Sequence, residues 1–308
     1  MKKLKLNIKQ IIPFIGLIIV FLLFSLTTRG KFLDINNLQI ILTQSIIVMI
    51  AGIGVTFVMA HGNLEFSIGG ELAICSIVAY FASMVSVWLA LPAAILTGIL
   101  CSQVSAWINN IMKVPAFMVG MCVMFLGRGL AQGMSLDFQM NTPKALLKLD
   151  STGLYLTVLV VVYVIGYIIL EHTKVGSYNK AIGENENAAL YSGVSINVYK
   201  AIAFAISGAT IGICAVLTLI RTAGVGATTG QSLETNTLIA VVLGGMSLTG
   251  GTSIKLRSVI IGALTFFMLS NGLSLWGVNP DIINIIKAGV FLVCVFLSYD
   301  RESGVIPI

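Results

Sequence analysis

The feature that most restricts the fold of this chain is a series of long apolar runs, which recur along its 308 residues with polar breaks between them. Hydrophobic residues make up 57% of the sequence and charged residues only 10%, whereas a soluble domain has about 25% charged residues. Many runs approach the ~20 residues that an α-helix needs to cross the hydrocarbon of a membrane. Because backbone groups in lipid must be satisfied internally, such runs favour helices. The sequence therefore predicts an all-α polytopic membrane protein.

Run length and hydropathy predict about ten transmembrane helices. The predicted segments cover residues 11–26, 38–60, 66–87, 89–108, 114–133, 154–170, 201–220, 237–249, 258–275 and 282–298. Several are shorter than a simple span, so broken or re-entrant helices are expected, above all in the eighth segment. The basic start of the chain followed by residues 11–26 is also typical of a secretory signal. No small-residue cleavage site follows, so we expect a retained first helix.

The longest polar run, residues 171–200, is where the chain meets water. Within it Asn185 is a good N-cap, Glu186 puts a negative charge in the first turn, and Gly193 suits a left-handed C-terminal stop. These signals predict a helix of about two turns, which is too short to be stable alone in water. We therefore expect it to dock on another protein. The alternative is a plain loop that joins two membrane helices.

Positive charge predicts the orientation of the chain, because short cytoplasmic loops are enriched in Lys and Arg. With the N-terminus inside, eleven of the 18 cationic residues fall on the cytoplasmic side and five on the outside, whereas Arg128 and Lys287 fall within or at the ends of membrane segments. The cytoplasmic set is Lys2, Lys3, Lys5, Lys9, Lys113, Lys174, Lys180, Lys200, Lys255, Arg257 and Arg301, and the outer set is Arg29, Lys31, Lys144, Lys148 and Arg221. This unequal distribution of Lys and Arg predicts that both termini and residues 171–200 are cytoplasmic.

The sequence contains no chemistry of its own for energy conversion. The phosphate-binding pattern G-x-x-x-x-G-K-[ST] is absent, so any ATP must be hydrolysed by another chain. The five cysteines lie in apolar segments without C-x-x-C spacing and indicate buried thiols, and the two histidines have no carboxylate at metal-ligand spacing. The net charge of +6 reflects loop topology here and does not indicate nucleic acid.

Several spaced motifs resemble one family of transport proteins. They are GENENAALYSGV at 183–194, LIAVVLGGMSLTGG at 238–251, SNGLSLWGV at 270–278, VPAF at 114–117 with Arg128 and Gly129, and NLEFSIG at 63–69. Together, from about residue 36 to residue 287, these motifs resemble the permease subunits of ABC importers for ribose-like simple sugars. The last motif lies where that family has Gly-Ile-Asp-Leu-Ser-Val-Gly, with Glu65 in place of the Asp.

The resemblance implies a type II ABC importer permease, a single transmembrane domain covering residues 1–308, in the inner or plasma membrane of a prokaryote. It implies two cytosolic ATPase subunits, an extracytoplasmic solute-binding protein and a second permease copy, in a homodimer or a heterodimer surrounded by lipid. ATP and Mg²⁺ would bind to the ATPase, so this chain is expected to hold no cofactor, metal or catalytic residue. The coupling contacts to the ATPase would be Gly183, Asn185, Glu186, Ala188, Ala189 and Gly193.

Candidates for a translocation pathway or gate are Glu65, Ser67, Phe117 and Asn271. Carboxylates at membrane depth usually face the protein interior or water. Glu65 could contact the solute or gate it, or be a carboxylate at a helix end. Glu71 has the same two interpretations, and a helix-end carboxylate at the interface is the favoured one. On one continuous helix it would lie some 120° from sharing a face with Glu65, so the two need not act together. Arg128 and Lys287 are read as structural anchors, and Asn271 as an amide that packs across a helix contact or lines the pathway.

Two other classes of function remain open from the sequence. A permease of the same fold for nucleosides or branched-chain amino acids would share parts of these motifs. An ion-coupled secondary transporter could use Glu65 and Glu71 as proton carriers. The segment 222–229 lacks the family's usual Gln-Pro, Asn236 replaces its Asp, and the link from 251 to 262 is about one residue longer. These departures leave the solute undetermined. A third class, a membrane enzyme, is disfavoured, because it would need a converging nucleophile, base or metal set and the sequence offers none.

Overall fold

The computed structural model describes residues 8–137 and 140–298, which are almost entirely helical. The helices α1 to α13 are Ile8–Thr27, Ile35–Ala60, Ile68–Val85, Val87–Met112, Ala116–Asp137, Lys144–Leu147, Thr152–His172, Lys174–Glu184, Glu186–Tyr191, Ile196–Thr222, Leu233–Leu243, Leu256–Leu275 and Pro280–Ser298. A 3-10 turn spans Gly251–Ser253, and a two-residue antiparallel ladder pairs β1, Met140–Asn141, with β2, Gly224–Val225. Lys2, Lys3, Lys5 and Arg301, which contribute to the charge prediction, lie outside the described residues.

Each of the ten predicted membrane segments overlaps a helix, and the all-α polytopic fold is confirmed. Seven described helices, α2 to α5, α7, α10 and α12, are long and apolar enough to cross a membrane, and residues 12–27 of α1 and all of α11 form shorter apolar helices. The predicted bounds of the eighth segment, 237–249, are wrong. Helix α11 begins at Leu233 and ends at Leu243, because Gly244 and Gly245 terminate it. Its 11 residues are too few to span, as expected for a broken helix.

Helix α2 is the centre of the bundle. Its N-cap is Asp34, whose side chain accepts a hydrogen bond from the Asn36 N–H at 2.9 Å. Every residue from Ser45 to Ala60 is buried. A helix that is apolar on all sides must be surrounded by other elements. Helices α7, α10, α11 and α12 pack around α2 and provide that cover.

Helices α4 and α10 form the most extensive helix pair among the described residues and run antiparallel. Their backbones meet at two glycines: a Cβ added to Gly208 would lie 2.2 Å from the Gly98 oxygen, and one added to Gly98 would lie 2.1 Å from the Gly208 oxygen. Small residues allow such close approach between membrane helices, where dispersion contacts provide much of the association energy. The crossing therefore depends on the absence of side chains at both positions.

Two helices begin inside the bundle. Residues 61–67 carry the chain from the end of α2 into the interior, where α3 begins, and residues 226–232 lead from β2 to the start of α11. The two starts are adjacent, because a Cβ at Gly230 would lie 2.1 Å from the Gly69 oxygen. Irregular backbone at membrane depth is tolerated where protein buries it. This arrangement brings polar residues into the core.

The bundle has two polar ends. At one end, the end of α4 meets the start of α10, where the Asn110 amide donates to the Asn197 oxygen at 3.1 Å. Helix α8 lies beside the end of α2 there, and α9 packs on α8 and α10. We call this the α8–α9 end. At the other, the β1–β2 ladder closes on the end of α10, where the Thr142 N–H donates to the Ala223 oxygen at 2.9 Å. We call this the ladder end.

The cysteines are free, and not all of them are buried. Cys75 and Cys214 are buried, Cys101 and Cys294 are partly buried, and Cys122 on α5 is exposed. The expectation of five buried thiols is therefore wrong for Cys122, because α5 turns an apolar face outward from the chain. Within residues 8–137 and 140–298, no three His, Cys, Asp or Glu side chains converge as a metal site.

Candidate coupling segment and interior polar sites

The predicted short helix in the polar run is present as α9. Asn185 is its N-cap, and its side-chain oxygen accepts from the Ala188 N–H at 3.0 Å. Glu186 occupies the first turn. Gly193 ends the helix at φ +82°, and the Val194 N–H donates to the Ala189 oxygen at 3.1 Å. This is the C-terminal pattern that a left-handed glycine allows. The local predictions for Asn185, Glu186 and Gly193 are confirmed.

Helix α9 is held to the bundle by one face and leaves the other free. Ala189 is buried and packs with Ile182 and Val194. Ala188 and Leu190 are exposed, and Tyr191 has 90% of its surface exposed. Exposed Leu and Tyr side chains on a polar segment are typical of a surface that contacts another protein. The face that the chain does not cover is therefore suited to docking.

Gly183 fixes where α8 sits on the bundle. A Cβ at this position would lie 2.1 Å from the Ala60 oxygen and 2.6 Å from the Gly251 nitrogen. Only a residue without a side chain allows α8 to touch both the end of α2 and the 3-10 turn. Close packing therefore requires a glycine at position 183, in addition to the role predicted for Gly183 in the coupling segment.

Glu65 and Glu71 belong to one buried polar cluster. The Glu65 carboxylate accepts hydrogen bonds from the hydroxyls of Ser67, at 3.1 Å, and of Ser207. The Glu71 carboxylate accepts from the Ser102 hydroxyl at 2.9 Å. Ser207 and Ser102 lie on either side of the α4–α10 crossing, since a Cβ at Gly208 would be 2.6 Å from the Ser102 oxygen.

The interpretation of Glu71 as a carboxylate at the membrane interface is wrong. Glu71 has 0% exposure, because α3 begins within the bundle. The angular argument also fails, since α3 begins at Ile68 and Glu65 lies in the irregular segment before it. The two carboxyl groups are therefore brought together by the fold and not by helical periodicity.

Arg128 on α5 and Glu234 on α11 form an ion pair. The Glu234 side chain is 8% exposed and that of Arg128 is 28% exposed. Arg128 is thus held by a carboxylate within the protein, which is more specific than the anchoring at an interface expected for it. The predicted bounds of the eighth segment hid Glu234, because they placed it in an outer loop. A carboxylate just before an apolar run was the signal that could have found it.

Replacing Arg128 by Met is expected to destabilise the protein by about 3 kcal/mol, because the Glu234 carboxylate would remain buried without its cation. The double variant Arg128→Met/Glu234→Leu is expected to recover most of that loss, since it removes both charges. Thermal unfolding of the purified proteins in detergent measures both effects. Equal melting temperatures for the single and double variants would contradict this role for the ion pair.

The other candidates for the pathway lie apart from the carboxyl cluster. Asn271 on α12 exchanges two hydrogen bonds with Asn37 on α2, at 3.0 and 2.8 Å, as expected of an amide that joins two helices. Phe117 lies in the first turn of α5 and is 40% exposed. Lys287 places its ammonium group 4.8 Å from the centre of the Phe266 ring. Of the four predicted pathway residues, only Glu65 and Ser67 are joined by a hydrogen bond.

Two open cavities lie at the ladder end, and the sequence predicted neither. One, of about 420 Å³, is lined by β1, β2 and the hydroxyls of Thr218, Thr222, Thr228 and Thr229. The other, of about 400 Å³, lies between the starts of α2 and α7 and includes Asp150 and Arg221. Both have mixed walls with polar and apolar groups and open to the surface, so this end of the molecule can accept polar groups from water.

The described residues form a polytopic helix bundle with two helices that begin in its interior, buried polar groups and an exposed short helix, α9. These features are consistent with a membrane transport protein. The chain belongs to the family described as branched-chain amino acid transport system / permease component, whose model matches residues 37–295. The family assigns the chain a role as a transport component and not as an enzyme. No solved structure gives a significant match to the chain.

Similar proteins include several bacterial permeases. The ribose import permease protein RbsC of Haemophilus influenzae is 32% identical over 296 residues, covering 92% of this chain and 90% of that protein. RbsC of Bacillus subtilis is 30% identical over 306 residues, covering 94% and 93%. The galactofuranose transporter permease protein YtfT of Escherichia coli is 30% identical over 279 residues, covering 86% and 80%. The chain therefore corresponds to nearly the whole length of these relatives.

Proposed function

We propose that this chain is the membrane-spanning permease of an ATP-driven importer for a simple sugar or a related small polar solute. The observation that carries the proposal is its similarity over about nine-tenths of its length to ribose import permeases. The family description names branched-chain amino acids, but the relatives above are named for sugars. Four threonines, Thr218, Thr222, Thr228 and Thr229, line one cavity at the ladder end, and their hydroxyl groups are of the kind that bind a polyhydroxylated solute.

The proposed assembly has the α8–α9 end in the cytoplasm and the ladder end outside. The distribution of Lys and Arg supports this orientation, with both termini cytoplasmic. A solute-binding protein would deliver the solute at the ladder end, and two permease copies would enclose the path. Residues 171–200 would form the cytoplasmic coupling loop of the single membrane domain.

Coupling to ATP is assigned to Gly183, Asn185, Glu186, Ala188, Ala189 and Gly193. The exposed side chains of Leu190 and Tyr191 on α9 support this assignment, because they offer an apolar surface to which an ATPase subunit can bind. Closure of the ATPase dimer on ATP would draw the two α9 helices together and rock the bundle between outward-open and inward-open states. Both states must be close in energy, since a partner shifts an equilibrium only by its differential affinity.

Glu65 and Ser67 are proposed as part of the gate. They lie on residues 61–67, which connect the α8–α9 end of α2 to the bundle interior, so a shift at that end reaches them through the backbone. Asn271 is assigned to helix packing, in view of its paired hydrogen bonds to Asn37. Phe117 remains a candidate for the path, because it is partly exposed on α5.

The test is a pull-down of the tagged protein from its own membranes in mild detergent, followed by mass spectrometry. An ATPase with a phosphate-binding loop and a solute-binding protein are expected in stoichiometric amounts. Ligand screening of that binding protein then identifies the solute, and a bound sugar is the expected result. A protein that comes out alone, with uptake that follows the proton gradient, would instead favour an ion-coupled transporter that uses the Glu65–Glu71 cluster. If the binding protein instead held an aliphatic amino acid, the sugar assignment would be overturned, but the assignment as an importer permease would stand.

A further inference from the structure

The carboxylate of Glu184 joins the coupling segment to the turn that precedes α12. Glu184 is the last residue of α8, directly before the N-cap of α9. Its Oε1 atom accepts two hydrogen bonds from Thr252, one from the backbone N–H at 2.8 Å and one from the hydroxyl at 2.7 Å. Charge-assisted hydrogen bonds of this kind are shorter and stronger than those between neutral groups. We call this contact the Glu184–Thr252 clasp.

The clasp lies at a junction of three backbones. Gly183 touches the Ala60 oxygen at the end of α2 and the Gly251 nitrogen in the 3-10 turn. A Cβ at Gly250 would in turn lie 2.7 Å from both the Gly62 nitrogen and the Met59 oxygen. The end of α8, the end of α2 and residues 250–252 are therefore in direct contact. Since they leave no space for side chains, a displacement of one must displace the others.

The junction leads to the residues that the gate proposal uses. Residues 61–67 run from the end of α2 to Glu65 and Ser67, and the 3-10 turn connects α11 to α12. Helix α11 carries Glu234, which holds Arg128 on α5. A displacement of α9 can therefore be transmitted through α2 to Glu65 and Ser67, and through α11 to the Arg128–Glu234 ion pair. The packed glycines supply contact, and within the described part of the chain the clasp adds hydrogen bonds between α8 and the turn.

We propose that Glu184 is a positioning residue that transmits movement of α9 to α2 and to the turn before α12 through its hydrogen bonds to Thr252. The inference rests on the proposed function, because it assumes that an ATPase moves α9. It assigns to Glu184 no contact with the ATPase and none with the solute. Both clasp residues are exposed, so their hydrogen bonds add little to folding stability. The effect of losing them is therefore expected in coupling.

The clasp is expected to persist across the neutral pH range. The hydrogen bonds from the Thr252 hydroxyl and N–H lower the pKa of the Glu184 carboxyl below its ordinary value. The folded protein thus favours the charged form of Glu184. The contribution of its hydrogen bonds is therefore complete above the ordinary pKa of a glutamate, and it is lost only as the pH falls through the lowered pKa of Glu184. Coupling through Glu184 should accordingly be unchanged between about pH 6 and pH 8.

The experiment measures solute uptake per ATP hydrolysed, with the full complex in liposomes and the co-purifying ATPase and binding protein. Glu184→Ala is expected to retain the ATPase, because α9 is intact, and to lower this ratio by about fivefold or more. Glu184→Gln keeps an acceptor oxygen and should restore much of the ratio. Thr252→Val should lower it and Thr252→Ser should not. Glu171→Ala is the matched control, since it removes an exposed glutamate at the end of α7 that pairs with Lys180 on α8, the helix that carries Glu184.

The double variant Glu184→Ala/Thr252→Val separates the clasp from two independent effects. If both residues act through one contact, the double variant is no worse than Glu184→Ala alone. Additive losses would overturn the proposal, and so would a normal ratio in Glu184→Ala. Loss of the ATPase from Glu184→Ala would also overturn it, because Glu184 would then be a docking contact. If the unaltered protein captures no ATPase, the proposed function itself fails.

Discussion

Gly208→Val is expected to prevent assembly of the bundle. A Cβ at this position would lie 2.2 Å from the Gly98 oxygen and 2.5 Å from its carbonyl carbon, which are backbone atoms that cannot rotate away. Helices α4 and α10 would have to separate along the most extensive helix contact among the described residues. Separation would also pull the Ser102 and Ser207 hydroxyls from the Glu71 and Glu65 carboxylates. Loss of packing and loss of hydrogen bonds to buried carboxyl groups therefore act together.

Size-exclusion chromatography of the solubilised protein measures the effect. Gly208→Val should give no monodisperse peak, and Gly208→Ala a folded protein whose melting temperature is lower by about 5 °C or more. Gly16→Val in α1 is the matched control, because a Cβ at Gly16 has no atom within 4 Å and the substitution changes helix propensity in the same way. If Gly208→Val elutes like Gly16→Val, the helices do not meet at these glycines.

The positions of the membrane segments were predictable because hydropathy reports directly on transfer into lipid. The local structure of α9 was predictable for a different reason. Its N-cap Asn185 and its stop Gly193 act through backbone groups of the next few residues, so their signals do not depend on the rest of the fold. The structure confirms the N-cap at Asn185 and the left-handed stop at Gly193.

The buried polar pairs were not predictable, because they depend on helices that begin inside the bundle. Hydropathy treats each apolar run as a crossing that starts at the interface, which placed Glu71 at a helix end and Glu234 in a loop. In the structure both lie in the first turn of a helix whose start is buried. Arg128 and Glu234 are 106 residues apart. No local pattern connects residues at that separation, so only the tertiary structure shows the pair.

Gly193→Pro is expected to abolish association with the ATPase while the protein remains inserted in the membrane. Gly193 has φ +82°, whereas proline is restricted to about −65°. Proline also lacks the N–H that Gly193 donates to the Leu190 oxygen at 3.0 Å. The C-terminal stop of α9 would open, and Val194 would leave its contact with Ala189. A helix of six residues has no stability of its own, so the docking face would be lost.

Co-purification of the ATPase with equal amounts of inserted permease measures this effect, and a loss of about tenfold or more, which corresponds to roughly 1.4 kcal/mol of binding free energy, is expected. Gly193→Asn is the matched control, because asparagine tolerates the left-handed conformation and keeps the N–H, so association should survive. Replacing residues 186–190 by glycines removes α9 by another route and should give the same loss. If Gly193→Pro retains the ATPase as well as Gly193→Asn does, α9 is not the docking element. The ATPase would then have to bind elsewhere on the α8–α9 end.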